Sequence, residues 1–298
     1  MIRTDLAIEA KELYHESAGE ITEIDGVRAQ TEAQNGITVT TVDILNENGK
    51  QALKKEIGRY ITIEMPAFRE YGHIFYQSGS LALKTALHKL TDIRHGDDVL
   101  VVGLGNRNIT PDALGSKVTD KIIVTRHLHR LAPEAVRDLG SVSCLAPGVM
   151  GITGIETAEM VKQILPLVRP KVILAIDALA ARSMERVSTT VQLSDTGISP
   201  GSGIGNTRSA LSKETLGVPV IAIGVPMVVD AKTLAYDALR STDADLSGIE
   251  KTLSDAENLI VTPKDVDRII THMSNLVAAG INLALHNLSL EQINDYVG

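Results

Sequence analysis

Short apolar runs recur along this chain of 298 residues, and helix-like segments separate them. The later runs are continuous rather than alternating, which is typical of strands that are buried on both faces of a mostly parallel sheet. Strand–helix alternation of this kind predicts a sheet between layers of helices, joined by right-handed crossovers. The predicted strands cover residues 37–45, 60–65, 98–105, 121–125, 171–177 and 218–224.

Helical spacing of apolar residues marks several segments between these strands. One helix is predicted over residues 80–90 with Ser80 as its cap, a second over 155–168, and a third that opens at Thr262. The first 70 residues have the pattern of a β-rich elaboration at one edge of the sheet. The sequence therefore predicts an α/β fold.

Charge and composition exclude several classes of protein. The net charge of −8 argues against nucleic acid as a direct partner, because phosphate binding requires a basic face. No basic and apolar targeting segment opens the chain, and the longest apolar stretch, residues 218–229, is too short to cross a bilayer. The single cysteine, Cys144, fits a reducing compartment and a buried thiol. We predict a cytoplasmic protein with one domain over residues 1–298 and no membrane partner.

Two aspartates stand at the carboxyl ends of predicted strands. Asp112 follows the strand that ends at Gly103-Leu104-Gly105, and Asp177 ends the run at 171–177. Catalytic groups of open parallel sheets gather at this edge, so we expect the fold to bring the two acids together. Two carboxylates about 4 Å apart repel each other by roughly 4 kcal/mol at an effective dielectric near 20, which is about three pK units. One then keeps a proton while the other is ionised, and such a pair can activate water against a peptide carbonyl. A structural or capping role is the alternative for either acid.

Other motifs leave further hypotheses open. The Gly103-Leu104-Gly105 turn resembles a dinucleotide-binding loop, but Asn108 stands where the fingerprint needs its third glycine, so a nucleotide-binding oxidoreductase is the weaker hypothesis. His127 and His129 would share a face of an extended segment, as in a metal site, although a solvated turn is favoured. The glycine-rich stretch 201–206 suits a phosphate nest or a flexible substrate loop.

Blocks of sequence around both acids resemble the germination proteases of spore-forming bacteria, which degrade small acid-soluble spore proteins when a spore germinates. The resemblance implies that the chain is an endopeptidase. It also implies that Asp112, within TPDALG, and Asp177, within AIDALA, are the catalytic pair. The matching blocks are residues 3–10, 101–115, 146–157, 175–182 and 197–206.

The same resemblance implies an assembly, a location and a fold. Enzymes of this family form homotetramers, are made as inactive zymogens and act on small acid-soluble spore proteins in the spore core. Their fold and acid pair are similar to those of the peptidases that mature hydrogenases, where the acids contact a metal. A metal-dependent peptidase of that type is therefore the alternative, whereas the leading hypothesis needs no cofactor and no metal.

Specificity is a further expectation from the resemblance. Family members cut after an acidic residue and before a bulky apolar one, so a cation should line the pocket that receives the acid. Arg107, Arg182 and Arg186 lie in or beside the two aspartate blocks and are the candidates, with a solvated surface position as the alternative for each. A carboxylate held by arginine is typically worth about 1.5–3 kcal/mol.

The first residues of the chain copy the pattern of such a cleavage site. Asp5, Leu6 and Ala7 supply the acid, the bulky apolar residue and the small residue in order. We therefore expect self-processing between Asp5 and Leu6, which would release residues 1–5 as a short pro-segment. The alternative is a polar amino-terminal arm. Acid conditions are expected to favour this reaction, because Asp5 and the aspartate pair would be nearer their protonation range.

Overall fold

The computed structural model describes residues 4–18, 23–94, 96–199, 209–240 and 259–297. The strands of this part of the chain are β1 (Val27–Gln34), β2 (Ile37–Ile44), β3 (Gly58–Glu64), β4 (Asp98–Gly103), β5 (Ser141–Leu145), β6 (Val172–Ala181), β7 (Thr190–Ser194), β8 (Val220–Asp230) and β9 (Ile260–Val261). Its helices are α1 (Ala7–Ala18), α2 (Glu47–Leu53), α3 (Phe68–Leu90), α4 (Leu114–Thr119), α5 (Arg126–Leu131), α6 (Met150–Thr153), α7 (Thr157–Val168), α8 (Lys213–Leu216), α9 (Ala231–Arg240), α10 (Val266–Leu285) and α11 (Leu290–Val297). Short 3₁₀ helices lie at Thr110–Asp112 and Pro133–Val136.

The strands form one sheet that is parallel at one end and antiparallel at the other. Their order is β1-β2-β3-β7-β8-β6-β4-β5, with β9 paired to β8. β4 pairs in parallel with β5 and β6, and β6 pairs in parallel with β8. The pairs β1–β2, β2–β3, β3–β7 and β7–β8 are antiparallel. The predicted α/β class with a β-rich amino-terminal elaboration is confirmed, and the sheet as a whole is mixed.

Helices cover both faces of this sheet. On one face α3, α4 and α10 pack against alternate strand residues such as Val99 and Val101 of β4. On the other face α7 packs against Leu100 and Val102, while α1 and α2 cover the antiparallel end around Tyr60. The predicted helices over 155–168 and after Thr262 correspond to α7 and α10. No helix of the described residues is both long and apolar enough to cross a membrane.

The predicted strand over residues 121–125 is wrong. This segment is bound by side chains at the end of α10 instead of by a strand. Ile123 donates its N–H to Asn282 Oδ1 at 3.0 Å, and its carbonyl oxygen lies 3.1 Å from His286 Nε2. Because side chains far along the sequence satisfy this backbone, an apolar run with strand-like composition stays irregular here.

Ser80 does not cap a helix, because α3 begins at Phe68 and continues through it. The Ser80 hydroxyl lies 2.6 Å from the Tyr76 carbonyl oxygen and 3.1 Å from that of Leu276 in α10. A close contact with α10 explains why a glycine, Gly79, stands inside this helix. A Cβ at Gly79 would lie 2.6 Å from Leu276 Cδ1, so the glycine allows α3 and α10 to pack closely.

Candidate active site

A cavity of about 1170 Å³ opens on the sheet face that α1 and α2 cover in part. Both predicted acids line it, Asp112 from the loop after β4 and Asp177 from β6. Other strands contribute Tyr60, Gln192 and Gly224 to the same cavity. The fold therefore brings the two aspartates to one cavity, although they lie far apart in the sequence.

The glycine-containing turn after β4 folds around the Asp112 carboxylate. Gly105 has a φ of +92°, and a Cβ there would lie 2.0 Å from the Asp112 carbonyl oxygen. The Asn106 backbone N–H donates to Asp112 Oδ2 at 2.7 Å. Turns of this type can bind phosphate through backbone amides, whereas here such an amide binds the chain's own carboxylate. The turn that resembled a dinucleotide-binding loop presents an acid.

Gly115 provides the close helix–strand contact that the dinucleotide fingerprint assigns to its third glycine. A Cβ at Gly115 would lie 2.4 Å from the Leu104 backbone nitrogen and 2.6 Å from the Ile176 carbonyl oxygen. Gly103 faces it, since a Cβ there would lie 2.3 Å from the Gly115 carbonyl oxygen. α4 therefore packs directly on β4 and β6. This contact fixes the Asp112 loop beside the strand that carries Asp177.

Asp177 lies at the point on β6 where the neighbouring parallel strand β4 has ended. β4 ends at Gly103, opposite Ile176, while β6 continues to Ala181. Asp177 is therefore the first residue of β6 beyond its β4 neighbour, inside the strand rather than at its end. Its side chain is 6% exposed, and its Oδ1 accepts the Ala178 N–H at 3.0 Å. This position allows a carboxyl group on a buried strand to reach the cavity.

A row of register partners leads from Asp177 across the floor of the cavity. Asp177 pairs with Gly224, Gly224 with Gln192, and Gln192 with Thr62. Directly opposed residues share a face of the sheet. Gly224 has no side chain, and the Leu179 side chain lies over it, with Cδ1 2.3 Å from where a Cβ would stand. Gln192 and Asp177 are two strand spacings apart, or about 10 Å. The floor thus carries a carboxamide at one side and a carboxyl group at the other.

The amino-terminal segment Thr4–Ala7 contacts this floor. The Asp5 N–H donates to the Ala180 carbonyl at 3.0 Å, and Asp5 Oδ2 accepts the Ala180 N–H at 2.8 Å. The Gln192 carboxamide donates from Nε2 to the Asp5 carbonyl at 3.0 Å and accepts the Ala7 N–H at Oε1 at 2.7 Å. Leu6 is fully buried. Thr4 and Asp5 of the segment that carries the cleavage-site pattern therefore line the same cavity as the two acids.

Charged groups also hold this segment. Lys55 Nζ donates to the Thr4 carbonyl at 2.9 Å. Burial raises the pKa of Asp5, against the opposing effects of the Lys55 charge and the Ala180 N–H. Burial likewise lowers the pKa of Lys55, against the opposing charges of Asp5 and Glu9. The wall of the cavity therefore contains a carboxyl group, that of Asp5, and an amine, that of Lys55, beside the backbone of the amino-terminal segment.

Comparison with known proteins identifies the family. The germination protease family model matches residues 7–243 and 247–297, which is nearly the whole chain. The chain belongs to the germination protease family. It is 46% identical to the germination protease of Clostridium tetani over 99% of both chains. It is 46% identical to that of Caldanaerobacter subterraneus subsp. tengcongensis, over 95% of this chain and 94% of the relative. The germination protease of Bacillus subtilis is 42% identical, over 96% of this chain and 94% of the relative.

Membership in this family makes the chain a peptidase, a hydrolase that acts in germination. Among solved structures, it is similar to the NiFe hydrogenase maturation protease HycI from Thermococcus kodakarensis. The two are 14% identical with a TM-score of 0.36, and the match covers 66% of this chain and 98% of HycI.

The three arginines predicted for the acid pocket of this germination protease bind the chain's own acids. Their partners are Asp120 for Arg107, Glu16 for Arg182, and both Glu12 and Glu64 for Arg186, at 2.6–3.2 Å. None of the three is among the described residues that line the cavity. Glu12 and Glu16 belong to α1, so Arg182 and Arg186 attach this helix to the segment that follows β6. The cation whose charge acts on Asp5 is Lys55, which the sequence did not single out.

His127, His129 and Cys144 are not among the described residues that line the cavity. His127 and His129 are on α5, where residues two positions apart do not face each other, so the extended-segment hypothesis is wrong. Cys144, predicted to be a buried thiol, is partly buried, and this burial raises the pKa of its thiol to about 12. The glycine-rich stretch 201–206 lies outside the described residues. Within the described ranges, no group of three or more His, Cys, Asp or Glu side chains is placed to hold a metal ion.

Proposed function

We propose that this germination protease is an endopeptidase whose catalytic groups are Asp112 and Asp177. The observation that carries the proposal is that both acids line one cavity, whose wall includes Thr4 and Asp5 of the amino-terminal segment. Backbone N–H groups support the same assignment, because the amides of Asn106 and Ala178 orient the two carboxylates. Acids held in this way beside a bound backbone are suited to general acid–base chemistry on a peptide.

The proposed reaction uses one water and one shared proton. The ionised aspartate accepts a proton from the water as its oxygen attacks the peptide carbonyl carbon. The protonated aspartate donates its proton to the amide nitrogen that leaves. The base and acid roles are assigned to the pair as a whole and not to either residue, because carboxyl groups that share a proton act as a unit. This chemistry requires no metal and no cofactor.

The proposed substrates are small acid-soluble spore proteins, cleaved after an acidic residue and before a bulky apolar one. The docked segment supports this order of side chains. Its acid meets the Ala180 N–H, Leu6 is enclosed by apolar residues, and Ala7 has no exposed surface. A homotetramer in the spore core completes the proposal and follows from the family relationship alone.

A digest of a purified acid-soluble spore protein tests the proposal. We expect mass spectrometry to find new carboxyl termini at Asp or Glu, followed by fragments that begin with Leu, Ile or Phe. A chelator should leave the rate and the cut sites unchanged. Cuts without an acid before them would contradict the proposed specificity. Loss of cleavage with chelator, restored by added metal, would favour the metal-dependent peptidase.

We further propose that the chain processes itself between Asp5 and Leu6. Asp5 pairs with Ala180, three residues and about 10 Å along β6 from Asp177, so the segment must shift along the cavity before the acids act on this bond. Because burial raises the pKa of Asp5, docking is favoured at low pH and weakens as the pH rises through that raised value. Protonation of Asp5 thus stabilises the docked segment in acid. The sequence led to the opposite expectation for Asp5, that acid would favour processing. Faster processing in acid would have to come from the aspartate pair.

Amino-terminal sequencing after acid incubation tests this reaction. We expect a new terminus at Leu6 in the parent protein and an unchanged terminus in the Asp112→Asn variant. The variant is the control for cleavage by contaminating proteases, since it keeps the docked segment intact. Identical processing in both proteins would contradict self-processing by the aspartate pair.

A further inference from the structure

A second cavity, of about 430 Å³, opens between helices α3, α10 and α11. Among the described residues, none lines both this cavity and that of the two aspartates. α3 and α10 cover the sheet face opposite to the one that α1 and α2 cover. The volume of the second cavity is in the range of small-molecule sites, about 300–1,000 Å³. The proposed peptidase reaction makes no use of it.

Short side chains on facing helices leave this space between α3 and α10. Gly72 of α3 lies at the cavity, and a Cβ there would lie 2.9 Å from His272 Nδ1. The glycine therefore lets the His272 imidazole rest against α3. The apolar wall consists of Ala278 and Ala279 of α10 with Ile293 and Val297 of α11. Since helix interfaces are close-packed where their side chains permit, the glycine and the two alanines account for the cavity.

The polar groups at this cavity favour an anion. Its described lining residues include one ammonium, that of Lys121, and no Asp or Glu. The chain as a whole has 37 acidic and 29 basic residues, so this lining departs from the charge balance of the protein. The other polar groups are a phenol, two imidazoles and three carboxamides, those of Tyr76, His73, His272, Asn275, Asn282 and Asn294. Ammonium and N–H groups of this kind bind carboxylate oxygens.

Contacts with α4 and α10 fix the position of Lys121. Asn282, which is fully buried, donates from Nδ2 to the Lys121 carbonyl oxygen at 2.8 Å. The Lys121 Nζ lies 3.3 Å from the Lys117 carbonyl oxygen and 3.4 Å from Ser274 Oγ. Both contacts are longer than the usual range of about 2.7–3.2 Å for an N–H···O hydrogen bond. The protein therefore places the ammonium while binding it only weakly.

The acid whose charge acts on Lys121 is bound by another residue. That acid is Asp120, and both of its carboxylate oxygens accept hydrogen bonds from Arg107 at 2.8 Å. Burial lowers the pKa of Lys121, and the Lys117 charge acts in the same direction, against the opposing charge of Asp120. A partly buried ammonium in these surroundings gains a favourable interaction when an anion binds beside it.

We propose that the cavity between α3, α10 and α11 binds small organic acids. The carboxylate of the ligand lies beside Lys121, and an aromatic or branched aliphatic body packs against Ala278, Ala279 and Ile293. An apolar wall with a few placed polar groups is the general pattern of small-molecule sites. The site goes beyond the proposed function, because binding there needs neither the aspartate pair nor a peptide substrate.

The first measurement compares two probes of one shape on the unaltered protein. 2-Naphthoate carries a carboxylate on a flat apolar body, and 2-naphthamide has the same body without the charge. In a ligand-observed NMR titration of the full chain, we expect 2-naphthoate to bind with a Kd of about 1 mM or below. 2-Naphthamide should bind about tenfold more weakly, because hydrogen bonds between charged groups are stronger. Equal affinities, or no binding of 2-naphthoate at about 10 mM, would overturn the proposal.

The second measurement uses Lys121→Met to assign the charge to this cavity. Met nearly keeps the length of the side chain and removes the ammonium, and an unchanged thermal midpoint shows that the variant is folded. 2-Naphthoate should bind Lys121→Met about tenfold more weakly, whereas 2-naphthamide should stay within about twofold of its affinity for the parent. Lys117→Met is the matched control, because Lys117 is a neighbouring cation that is not among the described lining residues. Both probes should bind that variant within about twofold of the parent.

Binding at another place would be visible in the same data. Lys55 lines the cavity of the two aspartates, so an acid bound there would keep its full affinity for Lys121→Met. An unchanged affinity of 2-naphthoate for Lys121→Met would therefore refute the proposed site. An equal loss in Lys121→Met and Lys117→Met would also refute it, because the effect would then follow the overall charge and not a contact in the cavity.

Discussion

Asp112→Asn and Asp177→Asn are each expected to lower kcat for peptide cleavage by about a hundred- to ten-thousandfold, the range that general acid–base groups contribute. Asn cannot share a proton with the remaining acid, so the reaction loses either the base that activates water or the acid that protonates the leaving nitrogen. The measurement is steady-state cleavage of a peptide carrying the Asp-Leu-Ala pattern. Both variants should lose a similar factor because the pair acts as a unit.

The fold of both variants should be preserved, which separates a chemical effect from unfolding. An Asn side-chain oxygen can still accept the Asn106 N–H at position 112 and the Ala178 N–H at position 177. The thermal midpoint should therefore stay within a few degrees of the parent. Asp120→Asn is the matched control, because Asp120 is an exposed acid that pairs with Arg107 close to the Asp112 loop. Activity within about twofold is expected there. Full activity of either dyad variant would exclude the aspartate mechanism.

The placement of the two acids was predictable because it follows from local rules. A continuous apolar run predicts a buried strand, and parallel strands deliver the residues after them to one edge of the sheet. The rule fails in one detail. Asp177 lies inside β6, because β6 continues beyond the end of its neighbour β4. The sequence of one strand does not show how far it extends relative to another strand.

The partners of Arg182 and Arg186 were not predictable, because they depend on helix α1, which the pattern of apolar residues does not indicate. Glu16 and Glu12, which bind Arg182 and Arg186, are on α1, and the pattern did not predict that helix. α1 docks through a buried first turn, in which the Glu9 carboxylate accepts the backbone N–H groups of Arg182 and Ser183 at 2.7 and 2.9 Å. A charged residue near a catalytic motif pairs with whatever the tertiary fold brings to it, and sequence proximity cannot choose that partner.

Gln192 was missed for a similar reason. Its place in the cavity depends on the register of β3, β7, β8 and β6, which aligns Thr62, Gln192, Gly224 and Asp177 in one row. Each residue alone is an ordinary member of a strand. Only pairings between strands that are distant in sequence turn a glutamine and a glycine into the floor of a site.

Gly115→Ala is expected to destabilise the protein by about 3 kcal/mol, at the upper end of the usual cost of overpacking. The added Cβ would lie 2.4 Å from both the nitrogen and the carbonyl oxygen of Leu104, and 2.6 Å from the Ile176 carbonyl oxygen. All three are backbone atoms of the sheet, so no side chain can rotate away and α4 must move outward. The gain in helix propensity from Gly to Ala is at most about 1 kcal/mol and does not offset this cost. Urea unfolding, analysed with a fixed m-value, gives the change in the free energy of unfolding.

The same substitution should lower peptide cleavage about a hundredfold in the molecules that remain folded, because α4 carries the Asp112 loop and a shift of about 1 Å is enough to misplace a catalytic group. Gly151→Ala is the matched control. Gly151 is also helical, and a Cβ there would meet nothing within 4 Å. That variant should keep its activity and gain about 0.4–1 kcal/mol through the unfolded chain. If Gly115→Ala were as stable and active as Gly151→Ala, the packing of α4 on β4 and β6 would not be what positions Asp112 beside Asp177.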